Sequence, residues 1–182
     1  MKFNPVTVTL RNQVTVTLRA AVKTDARALL ESGQRCLLES PYLITTPEEF
    51  NFTIPQERDW IRSVNESDNS LLLVAVYSNQ IIGNLLLRGE PRSKIKHNAL
   101  LGIMIRKQWQ AIGLGTALIR TAQEWARATG ILKSVWLSVH ATNLHAIALY
   151  RKTGFEQAGT QTAYIQEPDG TFTDNLLMGF RL

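Results

Sequence analysis

The sequence predicts a single α/β domain in which strands and helices alternate around one core. Three observations predict it. The chain has 182 residues, a length that one hydrophobic core serves well. Apolar patterns of period two and period 3.6 interleave along the chain instead of segregating. An apolar run from Ala99 to Ile105 passes through a glycine-containing turn, Gln110-Ala-Ile-Gly113-Leu-Gly115-Thr116, into a helical pattern.

The elements follow in order. Val6-Thr-Val-Thr-Leu-Arg11 recurs as Val14-Thr-Val-Thr-Leu-Arg19, and both copies alternate as strands do. The second copy is read as the first strand of a domain spanning residues 14–182. The first belongs to an N-terminal extension, residues 1–13, and is an added edge strand, a disordered tail or a translation-start artefact. Asn12-Gln13 is a poor tight-turn pair, so a hairpin is only one option. Thr24 or Asp25 caps a first helix with Ala26, Leu29, Leu30, Cys36 and Leu37 on its apolar face. An irregular stretch from Tyr42 to Thr53 follows Pro41. Pro55 then suits the first turn of a second helix carrying Trp60, Ile61 and Val64. Leu71 to Tyr77 and Ile81 to Leu87 read as strands joined at Ser78-Asn79-Gln80, and a third strand begins near His97. Leu114, Leu118, Ile119, Ala122, Trp125 and Ala126 make the apolar stripe of a third helix. Lys133 to His140 is a strand with Val135, Leu137 and Val139 on one face. A last helix follows Asn143, and Glu167-Pro-Asp-Gly170 is a turn between two final strands.

Composition narrows the function. The formal net charge is +5 and the hydrophobic fraction 45%, ordinary for a globular protein. No Lys/Arg run interleaved with aromatics supports a nucleic-acid partner. Arg88, Arg92, Lys94, Lys96, Arg106 and Lys107 flank the Ala99–Ile105 strand, where they either solvate the surface or steer an anion. Cys36 is the single cysteine, which rules out an intramolecular disulfide and fits a cytoplasmic protein. Three scattered histidines and one cysteine give no metal-ligand spacing. Met1-Lys-Phe-Asn-Pro lacks the apolar core of a signal peptide, and Leu71 to Tyr77 is too short to span a membrane.

The turn from Gln110 to Thr116 carries the chemistry. The first N–H groups of a helix lack intrahelical partners, and the helix dipole places partial positive charge there. Glycine lets that backbone approach a phosphate. A P-loop needs Lys after its last Gly, and Thr116 stands there. A dinucleotide fingerprint needs a third Gly where Leu118 stands. Alone, the turn is also compatible with a plain glycine turn before a core helix.

Gln110, Gly113 and Gly115 match (Gln/Arg)-x-x-Gly-x-(Gly/Ala). Asn143, Ala146, Leu149, Tyr150, Gly154 and Phe155 match Asn-x-x-Ala-x-x-Leu-Tyr-x-x-x-Gly-Phe. In this order the two motifs resemble the signatures of the GNAT N-acetyltransferase superfamily. The branch with His97, Asp169-Gly170, Asp174 and Met178 is similar to bacterial ribosomal-protein, polyamine and amino-acid N-acetyltransferases. The resemblance implies one domain with a mixed, mostly antiparallel central sheet flanked by helices, in the order β-α-α-β-β-β-α-β-α-β-β. It starts near Val14, which would make the first repeat copy dispensable. It implies transfer of an acetyl group from acetyl-CoA to a primary amine in a ternary complex. A catalytically silent CoA-binding or regulatory domain is the alternative.

On that resemblance, Gln110, Ala111, Ile112, Gly113, Leu114, Gly115 and Thr116 hold the coenzyme pyrophosphate. The backbone of Ile103, Met104 and Ile105 pairs with its pantetheine arm, and Asn143 reaches the same arm besides capping its helix. Tyr150, two turns on, stands beside the sulfur as general acid. Ala111 and Lys107 occupy positions where relatives often have Gly or Arg, and Pro. Many relatives place a Glu on the strand before the cradle, but Ala99 to Ile105 contains no acid. His97, His140, Glu48 and Glu49 are therefore the candidate bases, with water carrying the proton out as the alternative. His145 is read as structural. Tyr42, Glu48, Glu49 and Phe50 fall where relatives line the acceptor site, with a small amine or amino acid preferred to a protein N-terminus. A homodimer is possible, as in many relatives.

Overall fold

The computed structural model describes residues 3–182. Strands β1 (Val6–Thr9) and β2 (Thr15–Ala20) precede helices α1 (Ala26–Glu39) and α2 (Ile54–Glu66). Strands β3 (Leu71–Tyr77), β4 (Gln80–Gly89) and β5 (Asn98–Ile105) lead into helix α3 (Leu114–Thr129). Strand β6 (Ser134–His140), helix α4 (Leu144–Lys152) and strands β7 (Glu156–Gln166) and β8 (Phe172–Arg181) complete the chain. From β2 onward the order is the one the sequence predicts.

All eight strands join one sheet, ordered β1-β2-β3-β4-β5-β6-β8-β7. Every neighbouring pair is antiparallel except β5–β6. That pair is parallel because the helix α3 crosses over between its strands. β3 explains the layering. Its side chains alternate between faces, and both faces are covered, so it reads as a continuous apolar run. Leu71, Leu73 and Ala75 join the larger core with Leu114, Leu118, Ile119, Ala122 and Trp125 of α3. Leu72 and Val74 join a second cluster with Ala26 and Leu29 of α1 and Ile61 and Val64 of α2. Each fully buried leucine contributes roughly 1.5–3 kcal/mol. Among the described residues, no helix is long and apolar enough to cross a membrane.

Local chemistry fixes the helix ends. The Thr53 hydroxyl accepts from the Gln56 N–H, and the Gln56 side chain accepts from the Thr53 N–H at 2.8 Å, a reciprocal cap for α2. Asp25 sits at the start of α1, but its carboxylate turns back to the Val22 N–H at 2.8 Å and to Arg19 at 2.6 Å.

The N-terminal repeat forms a hairpin. Val6 pairs with Leu18 and Thr9 with Thr15. Gln13 adopts φ +66°, a left-handed conformation that costs an L-residue roughly 1–2 kcal/mol. What offsets this is Leu10, which is buried in the larger core. The Ser78-Asn79 turn takes positive φ at both residues, +46° and +61°, the geometry a tight hairpin prefers.

Candidate active site

The site begins where the sheet comes apart. β5 and β6 pair only at Asn98–Ser134, Ala99–Val135 and Leu100–Trp136. Asn98 ties this closed end, its Oδ1 accepting from Trp136 Nε1 at 3.3 Å and from the Ser134 hydroxyl. Beyond it β5 stays paired to β4 through Ile105, and β6 stays paired to β8 through His140. The facing edges of residues 101–105 and 137–140 therefore open into a wedge with unpaired strand backbone on both sides. Such backbone needs partners, and an extended ligand carrying amides can supply them. Ile103, Met104 and Ile105 line the β5 edge, each half-buried.

The cradle lies at the open end. The side chain of Gln110 donates to the Ile105 carbonyl at 2.8 Å, clamping the loop to the end of β5. Ala111 and Gly113 both have positive φ, +61° and +98°. Among the described residues, none of the six N–H groups from Ala111 to Thr116 donates to a protein acceptor, and the next, Ala117, donates to Gly113 O at 3.0 Å. Six successive unpaired donors at a helix N-terminus form an anion site. The two glycines differ in purpose. A Cβ on Gly113 would meet only the Arg11 Cγ, at 3.7 Å, whereas one on Gly115 would lie 2.7 Å from Leu149 Cδ2. Gly113 keeps the approach open, and Gly115 lets α4 pack against α3.

Asn143 caps α4, its side chain accepting from the Ala146 N–H at 3.2 Å, and among the described residues its amide donors have no partner. Tyr150 lies two turns along, in the cluster that contains Leu101, Leu137 and Val139 at the wedge. Its ring meets Phe155 edge-on at 5.9 Å. Burial pushes its phenol up to about 12.

On the opposite face of β6 from Val139, His140 is buried, and its Nε2 lies 2.6 Å from Glu167 Oε1. The Thr142 hydroxyl lies 2.9 Å from Nδ1, and Tyr42 crosses the ring edge-on at 5.4 Å. Three segments thus converge: the end of β6, the loop between α1 and α2, and the turn between β7 and β8. With Nε2–H donating to Glu167 and Nδ1 accepting from Thr142, the imidazole has no unengaged lone pair. The second oxygen of Glu167 has no protein partner among the described residues.

The other candidates sit elsewhere. His97 is exposed before the closed end of β5, where its carbonyl accepts from the Lys133 N–H at 2.8 Å. Glu49 accepts from the Thr46 N–H at 2.8 Å and caps a turn. The fully exposed Glu48 is held below the usual carboxylate range by its own N–H and by Thr46, which makes it a weaker base. Phe50 packs on α1, its Cζ 2.7 Å from where a Gly33 Cβ would stand. Arg88 at the end of β4 and the following loop, residues 90–97, lie at the closed end of β5, where Lys96 pairs with Asp68 at 2.8 Å. Their cations are thus remote from the cradle. Arg11, Arg120 and Lys152 stand beside the cradle instead. Sequence spacing missed these three and Glu167, because the hairpin, the packing of α3 and α4 and the sheet order bring them to the site.

The chain is similar to known proteins in sequence and in fold. The acetyltransferase of GNAT family from Streptococcus pneumoniae superposes with a TM-score of 0.89 at 30% identity, covering 92% of this chain and 99% of that one. The L-amino acid N-acetyltransferase AaaT of Escherichia coli (strain K12) is 27% identical over 124 residues, 68% of this chain and 76% of that protein. The [ribosomal protein bS18]-alanine N-acetyltransferase of the same strain is 35% identical over 71 residues, 39% of this chain and 47% of that protein. The model of the acetyltransferase (GNAT) family matches residues 37–155, from the end of α1 to the residue before β7, and the chain belongs to that family.

Proposed function

We propose that this protein transfers an acetyl group from acetyl-CoA directly to the primary amine of a free amino acid or another small molecule. The observation that carries the reading is the row of six unpaired N–H groups opening beside the β5–β6 wedge. The pyrophosphate fits that row, and the pantetheine arm, with its two amides, fits the wedge. Bound there, the coenzyme supplies an activated acyl thioester.

The chain's own residues do the rest. Unpaired N–H groups on the wedge edge of β5 are placed to stabilise negative charge developing on a carbonyl oxygen. Tyr150, kept protonated by burial, donates a proton to the leaving sulfur. The incoming ammonium must lose a proton first. Glu167, its second oxygen unengaged and its first held by His140, accepts it. Burial pushes the Cys36 thiol up to about 11, which leaves it inert at neutral pH and favours direct transfer over an acyl-enzyme. Support for an amino-acid acceptor comes from the similarity to AaaT, which extends over 68% of this chain. The bS18-alanine enzyme matches 39% of it.

The test is turnover of acetyl-CoA against amino acids, polyamines, aminoglycosides and short peptides, in the wild type and in Glu167→Gln and His140→Gln. Glu167→Gln should lower turnover by roughly 10²–10⁴-fold. No turnover with any amine would leave a coenzyme-binding domain without catalysis.

A further inference from the structure

We infer that the N-terminal hairpin is part of the coenzyme site, with Arg11 joining Arg120 and Lys152 to hold the 3′-phosphate of the coenzyme's nucleotide end. The inference rests on the acetyl-CoA reading above.

A groove of ≈ 540 Å³ runs alongside the start of α3 and shares Gly113 and Thr116 with the cradle. Three elements give it three cations: Arg11 from the β1–β2 turn, Arg120 from the second turn of α3, and Lys152 from the end of α4. Among the described residues, no carboxylate lines it. Among the described residues, none of the three cations forms an ion pair. Like charges gathered this way repel until an anion joins them.

Arg11 is fixed there by backbone. Its N–H donates to the Ile112 carbonyl at 3.0 Å, inside the cradle loop itself. Leu10, buried beside it, anchors the turn in the larger core. The duplicated segment therefore does more than extend the sheet edge, since its turn is bonded to the loop that would hold the pyrophosphate.

The ligand class follows from charge and connectivity. Coenzyme A carries its pyrophosphate between the pantetheine arm and a ribose bearing a third phosphate. With the arm in the wedge and the pyrophosphate on the cradle, the 3′-phosphate lies outside both. The groove shares Gly113 and Thr116 with the cradle, and among the described residues no residue of β5 or β6 lines it. Guanidinium and ammonium groups suit a phosphate dianion through charge-assisted hydrogen bonds.

Calorimetric titration with acetyl-CoA and with acetyl-3′-dephospho-CoA tests this. The wild type should bind acetyl-CoA at least about ten-fold more tightly than the dephospho form. Arg11→Ala should lose roughly three- to ten-fold in affinity for acetyl-CoA and little for the dephospho form. Removing all three cations should bring the ratio of affinities close to one. Thermal unfolding of each variant would show whether the fold is kept. Equal wild-type affinity for the two coenzymes overturns the inference and leaves the acetyl-CoA reading standing. So does an Arg11→Ala defect of equal size toward both. If neither coenzyme binds, the underlying reading falls with it.

Discussion

Ala111 holds φ +61° in the middle of the cradle, where a Cβ is disfavoured. The loop tolerates it because Gln110 clamps one side to Ile105 and Arg11 bonds Ile112 on the other. Ala111→Gly should relieve the strain and stabilise the protein by roughly 0.5–1 kcal/mol. That corresponds to a melting temperature about 1–4 °C higher in a thermal scan. Gly113, at φ +98°, is the reverse case. Gly113→Ala forces a side chain into a left-handed position and narrows the approach to six N–H donors. Affinity for acetyl-CoA should fall at least ten-fold by calorimetry, about 1.4 kcal/mol. Tyr150 is different again, because its proposed role depends on staying protonated. Tyr150→Phe keeps the ring and removes the donor, so turnover should fall by roughly ten- to a thousand-fold. Its raised phenol also sets a stability window. Below pH 10 the hydroxyl is protonated in both folded and unfolded chains. Between pH 10 and about 12 the unfolded chain ionises first, so the stabilising contribution is lost as pH rises. Wild type should therefore lose stability faster than Tyr150→Phe over that interval, as read by denaturant unfolding.

The hairpin shows how an element can be plain in the sequence while its role is not. The repeat reads as two strands by alternation, yet Asn12-Gln13 carries no strong turn signal. The turn forms because Leu10 is buried and Arg11 bonds the cradle, and both contacts are long-range. Local propensity could not report them. The resemblance starting near Val14 suggested that residues 1–12 are dispensable, whereas the contacts argue otherwise. Deleting them removes one fully buried leucine, roughly 1.5–3 kcal/mol, and one bond to Ile112. A chain beginning at Gln13 should unfold at a melting temperature several degrees lower. Unchanged melting would show that β1 is a passenger on the sheet edge. The wedge is the opposite case. Its two strands are each legible by alternation, but their divergence after Leu100 and Trp136 is a pairing property, and no single strand encodes pairing.

At the scale of the molecule, the fold was legible because apolar periodicity and glycine turns are local signals. α3 is visible in its stripe from Leu114 to Ala126, and β3 in its unbroken apolar run. The cradle was legible because six unpaired N–H groups follow from a glycine turn entering a helix. The His140–Glu167 contact was half legible. His140 stands out beside the second motif, whereas Glu167 lies 27 residues on in a turn and becomes its partner only through the order β6-β8-β7. The charges show the same limit. Arg88 to Lys96 lie near the cradle strand in sequence but at its far end in space, while Arg11, Arg120 and Lys152 converge from three elements. This convergence makes the coenzyme a link between parts of the molecule that touch little by themselves. A ligand spanning the hairpin turn, the start of α3 and the end of α4 binds only the folded chain. At a hundred times its dissociation constant it should add about 2.7 kcal/mol to the unfolding free energy. For a domain of this size that is a rise in melting temperature of roughly 5–11 °C. Coenzyme A without its acetyl group should give most of that rise, because the proposed site holds it by its phosphates. In Gly113→Ala the rise should shrink sharply even where the unliganded variant melts normally. An equal rise in that variant and in the wild type would mean that the coenzyme is held somewhere other than on this loop.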